Sequence, residues 1–240
     1  MSELVQNDSN IMNLINVFLQ KDLCTRGNVE TVVLCGSYAL GRAAAHSDVD
    51  LCYIGDFSHF QRESHLYHDK EFQLMIAPWS WYRQVVTELE RESTNIATIT
   101  IMLATGKCLM GDTKKWRDLQ TLALSSYQQG PNPPSTEDIR KIRVRITDLW
   151  EDFCDEVENQ ERLWLSFEIL QKCVEAQFTI RQWWAVKSKY QLEELRVHDV
   201  KMANLLENCL ESLGSKERLE NICSYVLDPV GGWMKEPWKA

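Results

Sequence analysis

An α/β (α+β) domain with a small mixed sheet, followed by an all-α helical bundle, is the architecture this sequence predicts. Three observations carry that expectation. Short apolar runs that end at glycine or proline alternate with helical spacing in the first half. A break rich in glycine and proline, QQGPNPPS, occupies residues 128–135. Beyond the break, apolar residues recur every three or four positions. The expected division is therefore 1–127 for the α/β domain, 128–135 for a linker and 136–240 for the bundle.

Each element has its own signal. Asp8 or Ser9 can cap a helix whose apolar residues Ile11, Leu14, Ile15, Phe18 and Leu19 share one face. ETVVLCG reads as a strand that runs into Gly36, DVDLCYIG as a second closed by Gly55, and KEFQLMIA as a third stopped by Pro78. The polar stretch DFSHFQRESHLYHD between the last two reads as a surface loop, since His59, His65 and His68 match no helical zinc pair. Helices follow at about 80–91, 95–103 and 113–124. In the second half, one stripe runs through Ile139, Ile142, Ile146, Leu149 and Phe153, and another through Leu163, Phe167, Leu170, Val174 and Phe178. A third holds Leu205, Leu206, Cys209 and Leu210, and a fourth Leu219, Ile222, Cys223, Val226 and Leu227, ended by Asp228 and Pro229. Four amphipathic helices of this kind make a bundle.

Composition narrows the function classes. The chain has 240 residues, enough for two small domains with real cores. A formal net charge of −9 argues against a long track for a nucleic-acid backbone. No apolar run approaches the roughly 18 residues that span a bilayer. The opening MSELVQNDSN has no basic flank before an apolar core, so no signal peptide is expected. Eight cysteines, none in a C-x-x-C pair, read as free thiols in a reducing cytoplasm. The oligomeric state stays open, a homodimer included.

The chemistry concentrates in CGSYALGRAAAHSDVDLCYIG, residues 35–55. A strand runs directly into Gly36 and Ser37, and a helix-compatible segment follows. Glycine lets a backbone approach a ligand closely, and such a turn can cradle phosphate oxygens. Asp48 and Asp50 lie two apart on a strand and so share a face, opposite Val49 and Leu51. Two like charges there are unfavourable unless a cation sits between them, and Mg²⁺ takes carboxylate, phosphate and water oxygens.

The combination Gly-Ser-x-Ala-x-Gly-Arg-x(4)-Ser-Asp-x-Asp-Leu, residues 36–51, resembles the signature of the nucleotidyltransferase superfamily. That superfamily includes DNA polymerase beta and the enzymes that adenylylate aminoglycoside and lincosamide antibiotics. The matching positions are Gly36, Ser37, Gly41, Arg42, Ser47, Asp48, Asp50 and Leu51. The resemblance implies that Gly36, Ser37, Arg42 and Ser47 bind a nucleoside triphosphate, and that Asp48 and Asp50 hold two Mg²⁺ ions. It also implies a third carboxylate from a neighbouring strand. Parity leaves Glu71 and Gln73 on one face of KEFQLMIA; only Glu71 is anionic, so Glu71 is the expected third acid, as metal ligand or as base. Such a site transfers AMP from ATP to an acceptor hydroxyl, with pyrophosphate leaving and two cations about 4 Å apart stabilising both oxygens.

More loosely, ATGKCLMGD, the GPNPPS linker and VLDPVGG are similar to segments of uncharacterised bacterial members, which extends the likeness over nearly the whole chain. In two-domain relatives the helical domain supplies the acceptor pocket. That implies a small-molecule acceptor, an aminoglycoside- or lincosamide-like antibiotic among them, bound in a groove between the domains. Lys189, in WWAVKSKY, is the expected triphosphate lysine, with Lys187 beside it and Glu168 and Glu175 as further carboxylates. A protein or tRNA acceptor, or a module that binds nucleotide without turnover, are the alternatives. Trp183, Trp184, Trp233 and Trp238 read as packing residues, and Arg140, Lys141, Arg143 and Arg145 as a solvated basic face.

Overall fold

The computed structural model describes residues 2–92 and 96–237, divided between two units. One comprises Met1–Glu90 with Ala97–Gln129, and the other Arg91–Ile96 with Gly130–Ala240. The chain therefore leaves the first unit twice, not once, because Arg91–Ile96 clusters with the second. Within that second unit the Asn132 amide donates to the Arg91 carbonyl at 3.1 Å, and Ile96 bridges Ala185. Position 95, the expected start of a helix, and Trp238 lie outside the described residues. Among the described residues, no helix is long and apolar enough to cross a membrane.

The first unit opens with α1 (Ser2–Leu23), which begins well before Asp8 and Ser9, so neither is its cap. Then come β1 (Val29–Cys35), the single turn α2 (Gly36–Ala39), β2 (Val49–Gly55), β3 (Gln61–Tyr67) and β4 (Lys70–Pro78). They are followed in the chain by α3 (Trp79–Gln84), a π-helical turn Val85–Leu89, α4 (Glu90–Glu92), whose last two residues fall in the second unit, and then α5 (Thr98–Thr105), β5 (Lys107–Met110) and α6 (Lys114–Gln129). The sheet order is β3-β4-β2-β1-β5. Only β2 and β4 pair in parallel; the other neighbours are antiparallel, so the sheet is mixed.

Two strands depart from the sequence reading. The polar stretch that reads as a loop contains β3, an edge strand. His68 and Asp69 take left-handed φ of 47° and 59° and join β3 to β4 as a two-residue hairpin turn. Its pattern is hidden because polar side chains lie on both faces: Arg62 and Ser64 on one, Glu63 and His65 on the other. β5, four residues long, pairs with β1 at the opposite edge.

The sheet is covered on both sides. Ile15, Phe18 and Leu19 of α1 pack on Leu34, Leu51 and Phe72. On the other face Cys52, Ile54 and Met75 lie in one core with Tyr82, Leu103 and Trp116. β2 is thus buried on both faces, and the face that carries Asp50 is open only at the N-terminal end of the strand.

At the edge, Arg26 ties α1 to β3. It donates to Asp22 at 2.7 Å and to both carboxylate oxygens of Glu63, which also accepts from His65 at 2.8 Å. The Arg26 hydrogen bond holds the Glu63 carboxyl down from 4.5 to about 2. A depressed carboxylate stabilises the fold above its unfolded pKa and loses that contribution as pH falls through the folded one. The melting temperature is therefore expected to drop between pH 4.5 and about 2, and Glu63→Gln to flatten that part of a pH-melting series.

The second unit is helical: α7 (Thr136–Asp155), α8 (Asn159–Ile180), α9 (Ser188–His198), α10 (Val200–Glu211) and α11 (Lys216–Leu227). Ser135 and Asp138 form a capping box at the start of α7. The helix α9 has no counterpart among the four stripes; it follows a turn in which Gln182 takes φ 57° and α8 ends at Ile180. The stripe on α11 is buried as expected, but α8 turns differently. Leu163 and Phe167 are 37% and 45% exposed, while Ile169 and Cys173 enter the core with Leu170 and Val174.

The basic face of α7 is internally paired. Arg140 and Lys141 meet Glu137, Arg145 meets Glu168, and Arg143 straps the C-terminal segment. Arg143 donates to the carbonyls of Gly231, Gly232 and Trp233 and to Glu236. Trp183 and Trp233 pack against Phe178 and Trp150.

Candidate active site

Gly36 ends the buried run of β1 at the point where Cys35 pairs with Asp50 of β2. It takes φ +63°, a conformation that costs little only without a side chain. A Cβ at this position would lie 2.0 Å from Asp50 Oδ2. The Asp50 carboxylate thus rests directly on the glycine backbone at the head of the Gly-Ser turn, and Gly36, Ser37, Asp48 and Asp50 are all half-buried. Behind them the Cys35 thiol lies 3.6 Å from Cys52 Sγ. That contact, burial and, to a lesser degree, the negative charge of Asp50 push the Cys35 thiol well above its usual range, so it stays protonated.

The loop from Gly41 to Asp48 is pinned at its far end. The Ser47 hydroxyl accepts from the Ala44 amide at 2.8 Å and closes a turn, so its first role is to shape the loop. Lys70, at the start of β4, donates to the carbonyls of Ala45 at 3.2 Å and Ser47 at 3.1 Å. Its ammonium also lies 5.7 Å from the Tyr38 ring centroid. Sequence reasoning missed Lys70; a lone lysine before a strand carries no signal of what it will clamp. Arg42 is exposed, and its amide donates to Ser37 at 2.9 Å. Lys70→Met is expected to free this loop, read as faster amide hydrogen exchange at Ser47.

Across the parallel pair, Asp50 is in register with Gln73, not Glu71. Glu71 Oε1 accepts from Ser64 Oγ at 2.7 Å and from Gln73 Nε2 at 2.9 Å, while Gln73 Oε1 accepts from Arg62. These bonds draw the Glu71 carboxylate toward β3. Among the described residues, no group of three or more His, Cys, Asp or Glu side chains could hold a metal ion. Glu71, the third acid expected from the sequence, is thus out of register with Asp50 and hydrogen-bonded to Ser64 and Gln73. Asp50 seated on the Gly36 backbone, with Asp48 two residues before it, is a donor set that suits one Mg²⁺ arriving with a triphosphate, since that ion keeps phosphate and water among its ligands.

Residues 18–97, about a third of the chain, match the family model described as "Nucleotidyltransferase domain". The chain carries a nucleotidyltransferase domain. The matched segment contains the Gly-Ser turn, both aspartates and all of β4. No curated protein matches the chain. Among solved structures, a nucleotidyltransferase-like protein from Exiguobacterium sibiricum 255-15 is similar at 11% identity and a TM-score of 0.45, over 91% of this chain and 73% of that one.

The remaining candidates lie outside the nucleotidyltransferase domain, in the second unit. Glu168 is paired with Arg145, and Glu175 with Lys172 at 2.7 Å. Lys187 and Lys189 are exposed, with the Lys189 ammonium 4.7 Å from the Tyr190 ring centroid. Two hollows of about 420 and 570 Å³ run along α7 and the C-terminal segment, lined by Asp148 and Glu151 in one and Ile139 and Arg143 in the other.

Proposed function

We propose that the nucleotidyltransferase domain transfers AMP from ATP to a hydroxyl of a small-molecule acceptor, with Mg²⁺ at Asp48 and Asp50. The observation that carries this reading is the seat of the Asp50 carboxylate on Gly36. It sets an anionic ligand directly against the backbone of the Gly-Ser turn, where a cation could be shared between the carboxylate and a phosphate. Gly36 and Ser37 receive the triphosphate, Arg42 reaches its outer oxygens, and Ser47 and Lys70 hold the loop in shape. When bound, Mg²⁺ neutralises charge on the transferring phosphate and orients it. The acceptor oxygen forms a bond to the α-phosphorus, pyrophosphate leaves, and Glu71, an exposed carboxylate on the same strand face, takes the hydroxyl proton. A net charge of −9 favours a cationic acceptor such as an aminoglycoside- or lincosamide-like antibiotic.

The test is incubation of ATP labelled at the α-phosphorus with Mg²⁺ and pooled acceptors. Label in an acceptor with equal release of pyrophosphate is the expected result. A second reading, a module that binds nucleotide without turnover, is favoured by the neutral Gln73 in register with Asp50. Binding of ATP with no pyrophosphate from any pool would select it.

A further inference from the structure

We infer that Gln73 fills, with a neutral amide, the place from which a third charged ligand would reach the cation, so that the metal enters this site only as its nucleotide complex. The inference rests on the nucleotide reading above and adds a determinant of metal specificity to it. Residues in register on neighbouring strands project on the same side of a sheet. Gln73 stands between Asp50 on β2 and Ser64 on β3, in register with both.

Its amide is held at both ends. Oε1 accepts from the Arg62 guanidinium, and Nε2 donates to Glu71 Oε1 at 2.9 Å. The reverse orientation would set an NH₂ against a guanidinium and an oxygen against a carboxylate, so the chemistry fixes which way the amide points. The same Glu71 oxygen accepts from Ser64 Oγ at 2.7 Å, on the side away from β2. Beside Asp50 the strand face therefore presents an amide backed by a guanidinium. Glu71, two residues before Gln73 on the same face, accepts from Ser64 and from Gln73 itself.

Affinity of an oxygen site for a divalent cation rises with the number of charged ligands. Two carboxylates flanked by Gln73 and Arg62 make a weak site by that measure. A triphosphate brings both the missing oxygens and the missing charge.

The experiment is a Mn²⁺ titration of the full chain, followed by the electron paramagnetic resonance signal of free Mn²⁺, with and without a non-hydrolysable ATP analogue. Wild type is expected to bind Mn²⁺ weakly alone and more tightly with the analogue. The paired exchange of Glu71→Gln with Gln73→Glu keeps the net charge and the amide–carboxylate pair, but moves the negative charge into register with Asp50. It is expected to bind Mn²⁺ alone about tenfold or more tightly than wild type. Gln73→Met, which adds no ligand, is expected to show no such gain. Should the exchanged chain lose its circular dichroism signal, Gln73→Glu alone supplies the same comparison. A folded exchange variant with no gain in Mn²⁺ affinity overturns the role of Gln73, as does a wild type that binds Mn²⁺ equally well without the analogue. Failure of wild type to bind the analogue, read separately from its own fluorescence-labelled form, overturns the nucleotide reading and with it the carrier.

Discussion

Asp50→Asn is expected to lower nucleotidyl transfer by about 10³-fold, the scale of losing one preorganised electrostatic contact in an active site. Asparagine keeps the shape that rests on Gly36 and removes only the charge. The fold should survive, because Asp50 sits at the open end of β2 while Cys52 and Ile54 on the same face remain packed. Melting temperature is expected to stay level or rise, since one of two neighbouring like charges is gone. Asp48→Asn should behave in the same way. Pyrophosphate release from labelled ATP, read beside a thermal melt, checks both. A variant with near wild-type turnover would remove the carboxylate pair from the reaction.

Gly36→Ala is expected to cost stability and activity together. The new methyl would lie 2.0 Å from Asp50 Oδ2, and the backbone would have to keep φ +63° with a side chain present. Strain of this kind is worth about 1–3 kcal/mol, measurable as a lower denaturation midpoint. The two causes separate in a double-mutant cycle with Asp50→Ala. The clash disappears when the carboxylate is truncated, while the φ strain remains, so a coupling of at least about 0.5 kcal/mol is expected. A strictly additive pair would mean that the glycine serves the turn alone and not the seat of Asp50.

Much of this site was legible in the chain itself. The chain itself singles out the turn and the two aspartates within residues 36–51, and the structure sets one of them, Asp50, against Gly36. Strands β1, β2 and β4 announce themselves as apolar runs closed by Gly36, Gly55 and Pro78. By contrast β3 is invisible to the same test, since an edge strand exposes one face and fills the other with Glu63 and His65. The face of α8 was misplaced because Leu163 and Phe167 continue a periodic stripe that the helix does not bury at that end.

The identity of the third acid shows the limit most clearly. Within a strand, parity puts Glu71 and Gln73 on one face, and charge alone then favours Glu71. Which of them stands opposite Asp50 depends on how β4 slides against β2, and that register comes from many side chains packing on both faces of the sheet at once. Local sequence determined the turn, the aspartate pair and most of the elements, because each follows from the conformational and chemical preferences of adjacent residues. Tertiary structure alone decided the strand order, the parallel pairing and the neighbours of Asp50, because these are contacts between segments distant in the chain, and their energies are shared across the whole core.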